Sequence, residues 1–215
     1  MFDAIVLAGG AASRLGGADK PAIEVGGGTL LDRTLAAVSA ARRIVVVGPP
    51  RPVSGEVRAA HPVTGGVRAG QPMPGEVRAG GLIWCREQPA GGGPVAAIAA
   101  GFGRTAADTV VVLAVDLPWI APAVPRLLAA LGEANVAVLV DGSGRPSYLA
   151  AAWRRTALGS ALTASGGTAG VAARRLFDGM EIIEVPDSAG WADDCDTWSD
   201  VERARRRAER EGTPP

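Results

Sequence analysis

The sequence predicts an α/β fold: one doubly wound, mostly parallel sheet with helices on both faces. Three observations predict it. Apolar, β-rich runs are continuous rather than alternating, as strands buried on both faces require. Helical stretches separate those runs in turn. The first run leads into glycines ahead of a helix, an arrangement that binds anions. The 215 residues suit a single domain with a sizeable core.

The elements follow in order. "AIVLA" (4–8) is a short buried strand ending in glycines. "TLLDRTLAAVSAA" (29–41) reads as a helix capped by Thr29, with Asp32 in its first turn and Leu31, Leu35 and Val38 on one face. "RIVVVG" (43–48) and "LIWC" (82–85) are strands, and "PVAAIAAGF" (94–102) is a helix with Pro94 in its first turn. "TVVVLAVD" (109–116) is the strongest strand, "APAVPRLLAAL" (121–131) a helix and "VAVLV" (136–140) a strand. The stretch 145–162 starts extended and turns helical, 167–177 reads as a helix, and "MEIIEV" (180–185) as a strand. "TWSDVERARRRAERE" (197–211) closes the series as a helix with Thr197 and Asp200 as a capping box.

Between the second and third strands the pattern breaks. "RPVSGEVRAA", "HPVTGGVRAG" and "QPMPGEVRAG" (51–80) are three copies of one ten-residue unit. Each offers a Val and an Ala to bury and carries Pro and Gly, so the expectation is a tandem expansion in a mobile surface loop rather than a short-period solenoid.

Composition excludes several chemistries. His61 is the one histidine and lies in the repeat, which removes a Ser-His-Asp triad, a Cys-His dyad and a His-ligated zinc site. Cys85 and Cys195 cannot build a disulfide framework. With 22 basic and 22 acidic residues and a net charge of +0, neither nucleic acid nor a membrane is an expected partner. The opening has no basic n-region and no run reaches membrane-spanning length, so the expected location is cytoplasmic. Carboxylates, backbone N–H groups, arginines and a single lysine remain, a sufficient set for phosphate chemistry with magnesium.

That lysine is Lys20, against 21 arginines, and it lies in "VLAGGAASRLGGADKP" (6–21). The loop is not a Walker A motif, since Lys20 is followed by Pro21, nor a G-x-G-x-x-G fingerprint. It reads L-A-G-G-x-x-x-R-x-G-G-x-D-K through Leu7, Ala8, Gly9, Gly10, Arg14, Gly16, Gly17, Asp19 and Lys20. This resembles the signature loop of nucleotidyltransferases with the nucleotide-diphospho-sugar transferase fold. Its "RLGGADK" ending is similar to the molybdenum cofactor guanylyltransferase family, the MobA-like NTP transferases. "GGGPVAAI" (91–98), "VVLAVDLPWI" (111–120), "GRPSYLAAA" (144–152) and "DDCDTWSDVERA" (193–204) extend the resemblance in the family's order.

The resemblance implies GMP transfer from GTP to molybdenum-loaded molybdopterin, with pyrophosphate released and Mg2+ required. It implies a nucleotide site of Leu7, Ala8, Gly9, Gly10, Arg14, Lys20, Glu87, Gly93, Pro94 and Asp116, with Arg14, Lys20 and Asp116 catalytic. Gly9 and Gly10 would cradle phosphates, Arg14 would offer a fork, and Lys20 a compact charge where a planar guanidinium would not fit. Asp116 ends the strongest strand at the sheet's carboxyl edge and is assigned to the metal rather than to a turn before Pro118. Asp196, or Asp194 beside it, is either a second metal carboxylate or a cap for the last helix.

Two departures stand out: Ala97 replaces a family glycine near the nucleotide, and "VVVGPPRP" (45–52) lacks the polar residue expected where the base is read. Glu87 is the candidate acceptor for a guanine edge. The alternatives are a related transferase using CTP or another phosphorylated acceptor, such as a sugar phosphate or phospholactate, and a non-catalytic nucleotide-binding protein. The expected assembly is a monomer or weak homo-oligomer.

Overall fold

The computed structural model of the protein describes residues 1–10, 13–53, 77–79 (by their backbone) and 81–212. In chain order the strands and helices are β1 (Phe2–Leu7), β2 (Glu24–Val25), β3 (Gly28–Thr29), α1 (Leu30–Ala37), β4 (Ile44–Val47), β5 (Val77–Ala79), β6 (Leu82–Cys85), α2 (Gly93–Phe102) and β7 (Thr109–Ala114). They continue with α3 (Ala123–Leu131), β8 (Val136–Val140), β9 (Pro146–Arg154), α4 (Arg155–Ala164), β10 (Ile182–Pro186) and α5 (Trp198–Glu211). Among the described residues no helix is long and apolar enough to cross a membrane.

Eight of the strands form one sheet in the order β10-β8-β9-β7-β1-β4-β6-β5. β1 pairs in parallel with β4 and β7, β4 with β6, and β8 with β10, while β5 and β9 run the other way. The mostly parallel sheet expected from continuous apolar runs is therefore present. All six residues of β1 and all four of β4 are buried, because helices cover both faces. On one face α1 and α3 seat Leu31, Leu35, Val124 and Leu127 against Ala4, Val6 and Val46. On the other, α2 and α4 seat Val95, Ile98 and Leu158 against Ile5, Val45 and Val112. α2 comes so close to β1 that a Cβ on Gly101 would lie 2.6 Å from Ile5 Cγ2.

α5 covers neither face. Its Val201, Ala204 and Ala208 pack instead on Leu15, Ile23, Val25 and Leu30, beside the β2–β3 hairpin. Trp119 lies between Arg33 of α1 and Arg207 of α5, whose guanidinium carbons sit 4.9 and 4.4 Å from its ring. The cap read at Thr29 and the capping box read at Thr197 and Asp200 are both formed, and Thr29 completes a box of its own with Asp32.

Two expectations are corrected. The helix expected at 167–177 is only a 3-10 turn over Ala173–Phe177. Gly170 takes φ +73° and donates its N–H to Gly92 O, so the chain there is tied to the loop before α2 rather than coiled. Phe177 then packs its ring against Tyr148 and Trp153. The helix expected at 29–41 ends at Ala37, and the chain turns so that Arg42 N–H reaches Phe2 O at the head of the sheet.

The insertion expected over 51–80 is anchored at its described ends. Arg51 bonds to Asp19, Val53 packs on the core, and Val77–Ala79 is an antiparallel edge strand on β6. The expectation of a mobile repeat between them falls on 54–76, outside the described residues.

Candidate active site

The strand order reverses at β1. The chain runs outward through β4 and β6, then returns through β7 to the other side of β1. A crevice at the carboxyl ends of such strands is where open α/β sheets bind ligands. The loops leaving β1 and β7 are adjacent because Leu7 pairs with Ala114 and Val115 N–H donates to Leu7 O at 3.1 Å. Between them opens a cavity of about 580 Å3.

The β1 loop forms one wall. Gly10 takes φ +126°, a backbone conformation that a side chain would strain, so its glycine is required by the turn itself. A Cβ on Gly9 would meet nothing nearer than 3.6 Å, so glycine there leaves room in the cavity. Leu15 and Pro21 are buried and pin the two short 3-10 turns, Ser13–Leu15 and Lys20–Ala22, that frame Lys20.

Lys20 is the centre of the charge cluster. Its ammonium donates to Asp116 Oδ2 and to Asp196 Oδ1, both at 2.6 Å. Arg14 donates to the other oxygen of Asp196 at 3.1 Å, from a side chain that is 72% exposed and so free to turn toward a ligand. Burial pulls the Lys20 ammonium down, but the Asp116 charge and the two hydrogen bonds outweigh it and leave its pKa raised. The lysine therefore stays a cation.

Asp196 arrives through the backbone: Cys195 N–H donates to Asp116 O at 3.0 Å, which lays the "DDCDT" segment against the end of β7. The helix cap is made by Thr197 and Asp200, which leaves Asp196 to the cluster. Desolvation and the charges of Asp196 and Asp116 raise the carboxyl of Asp194, yet Asp194 is off the cavity wall. Burial pushes the Cys195 thiol up to about 12, so it is no nucleophile at neutral pH.

The facing wall is built by the loop after β6 and the start of α2, through Glu87, Gly91, Gly93, Pro94 and Ala97. Gly91 N–H donates to Glu87 Oε1 at 3.1 Å, while Oε2 points across toward Gly9. Gly93, Pro94 and Ala97 bring the start of α2 to the cavity wall, and no side chain caps that helix.

Of the sequence-derived residues, Leu7, Gly9, Gly10, Arg14, Lys20, Glu87, Gly93, Pro94, Asp116 and Asp196 all line this one cavity. Ala8 does not: its side chain is buried, its N–H donates to Val47 O, and its carbonyl accepts from Arg51. Sequence reasoning missed Leu149, which enters from β9, and the Asp19–Arg51 pair just outside the wall. Leu149 lies in "GRPSYLAAA", whose resemblance to family members was the one available signal.

Among the described residues no three His, Cys, Asp or Glu side chains converge into a ready metal site. The residues that could hold a metal are Asp116 and Asp196, whose oxygens share the Lys20 ammonium. Two carboxylates are the hard oxygen donors that a divalent cation such as magnesium takes.

Residues 4–183 match the MobA-like NTP transferase domain. The chain belongs to that family. Among relatives, it is 29% identical over 144 residues to a molybdenum cofactor guanylyltransferase of Shewanella baltica, a match covering 66% of this chain. The chain spans 63% of the length of the curated relatives it matches. Three solved structures share the family's fold with it. Molybdopterin-guanine dinucleotide biosynthesis protein A of Archaeoglobus fulgidus superposes with TM-score 0.65 at 18% identity, covering 97% of this chain and 99% of that one. The 2-C-methyl-D-erythritol 4-phosphate cytidylyltransferase of Thermus thermophilus gives 0.62 at 20%, covering 97% and 100%. A Mycobacterium tuberculosis protein solved in complex with manganese gives 0.59 at 20%, covering 95% and 98%.

Proposed function

We propose that this chain is a magnesium-dependent nucleotidyltransferase that moves GMP from GTP to the terminal phosphate of molybdenum-loaded molybdopterin. The observation that carries the reading is the Lys20–Asp116–Asp196 cluster facing a glycine loop across one cavity. In the reaction an acceptor phosphate oxygen attacks the α-phosphorus of the triphosphate, and the bond to the bridging α–β oxygen breaks to release pyrophosphate. Gly9 and Gly10 supply backbone N–H groups to the phosphates, Arg14 a fork and Lys20 a point charge where negative charge accumulates. Asp116 and Asp196 would hold the metal, which when bound neutralises phosphate oxygens.

Guanine is favoured by Glu87, whose carboxylate only accepts hydrogen bonds and meets two neighbouring donors on a guanine edge, against one amino group on cytosine. The guanylyltransferase name of the Shewanella relative supports the same choice. A CTP-using transferase is the second reading, supported by the likeness to the Thermus cytidylyltransferase.

The test is pyrophosphate release with magnesium and each of ATP, GTP, CTP and UTP, with and without molybdopterin. GTP together with molybdopterin should stand alone. Release with CTP instead would transfer the reading to the second, and release with none would reduce the chain to a nucleotide-binding protein.

A further inference from the structure

Arg51 opens the decapeptide run, and the first position of the unit reads Arg51, His61 and Gln71 in its three copies. Only the first copy places a guanidinium there, and its three nitrogens are all engaged. Nε donates to Asp19 Oδ2 at 2.9 Å and Nη2 to Asp19 Oδ1 at 2.5 Å, the two-point grip that a planar fork allows and an ammonium does not. Nη1 donates to Ala8 O at 3.2 Å and Pro49 O at 3.0 Å. One side chain thus joins the end of β1, the end of β4 and the residue before Lys20. Pro49, Pro50 and Pro52 surround it and restrict the backbone that presents it. The guanidinium also holds the Asp19 carboxyl below its usual range. Asp19 in turn accepts Ala22 N–H at its carbonyl, closing the turn that carries Lys20.

We propose that Arg51 is a positioning residue for triphosphate binding, acting through Asp19 to hold the glycine loop and Lys20 in place. The role rests on the nucleotidyltransferase reading, and it makes the root of the insertion part of the site's support. Arg51 is absent from the cavity wall, and its contacts to the site run through Asp19 and the Ala8 carbonyl.

The experiment compares wild type, Arg51→Ala, Arg51→Lys, Asp19→Asn and the Arg51→Ala/Asp19→Asn pair. It measures pyrophosphate release with magnesium, GTP and molybdopterin, together with amide hydrogen exchange followed by mass spectrometry. The loop grips the triphosphate before and during reaction, so Arg51→Ala should raise the triphosphate KM by about ten- to a hundredfold, the scale of lost charge-assisted hydrogen bonds, with the acceptor KM unchanged. Arg51→Lys should rescue little, and the double variant should be no worse than the worse single one. Exchange should quicken across 16–22 and stay unchanged in β1 and β7.

Wild-type KM and exchange in Arg51→Ala would overturn the proposal. So would losses that multiply in the double variant, or a fall in kcat with faster exchange throughout the chain, the mark of a general structural role. A wild-type protein that turned over no triphosphate would sink the proposed function and leave exchange at 16–22 to decide the clamp.

Discussion

Lys20 Nζ lies 2.6 Å from Asp196 Oδ1, although 176 positions separate the two residues in the chain. The contact joins the first loop of the sheet to the segment that starts the last helix. It also sets Lys20 between two carboxylates, with Asp116 at the same distance on its other side. A cation is therefore built into the place where two acids meet, and any second cation must share them with it.

Replacing Lys20 by Arg keeps the charge and enlarges the head. The ammonium reaches both carboxylates at 2.6 Å from a half-buried position framed by Leu15 and Pro21, and a guanidinium there must displace the loop or its partners. We expect kcat/KM for triphosphate to fall about a hundredfold, as small misplacements of reacting groups do. Steady-state pyrophosphate release checks this, and unchanged kinetics would refute the size argument.

Asp116→Asn and Asp196→Asn should each weaken divalent-metal binding, with the larger loss at Asp116. Asparagine keeps the carbonyl oxygen but removes the charge that a hard cation needs. The concentration of magnesium giving half-maximal turnover should rise in both variants. Triphosphate binding should weaken less, since Gly9, Gly10 and Arg14 are intact. Normal magnesium response in Asp116→Asn would remove it from the metal site.

Thr197→Ala separates the cap from the cluster. Thr197 accepts from Asp200 N–H and begins α5 directly after Asp196. Losing the cap should cost about 1 kcal/mol in denaturant unfolding and reduce turnover less than Asp196→Asn does. Equal losses of turnover would mean that the helix start, rather than the carboxylate, sets activity.

Deleting 54–76 while keeping Arg51 and β5 should leave a folded protein that binds triphosphate. The repeat offers few side chains to bury, and shortening a long connection costs little loop entropy. Deleting 51–80 should do worse, because it removes the Asp19 fork and the edge strand. Thermal unfolding and triphosphate titration of the two deletions distinguish these outcomes, and equal behaviour would deny the anchors any role.

Most of the sheet could be read locally, because burial on both faces leaves its mark residue by residue. "AIVLA", "RIVVVG" and "TVVVLAVD" announce strands, and Thr29 and Thr197 announce helix starts within one turn. The stretch 167–177 misled because its helical periodicity carries no trace of the bond from Gly170 N–H to Gly92 O. The glycine loop, Lys20 and Asp116 were legible as candidates, since each adjoins a strand end. Asp196 was ambiguous between metal ligand and helix cap; Thr197 and Asp200 make the cap, and a backbone bond from Cys195 to Asp116, 79 positions away, brings Asp196 beside Lys20. Arg51 carried no signal at all. Contacts between residues so distant in sequence follow from how α5 and the β4 loop pack on the sheet edge, and a chain's local periodicities do not encode that packing.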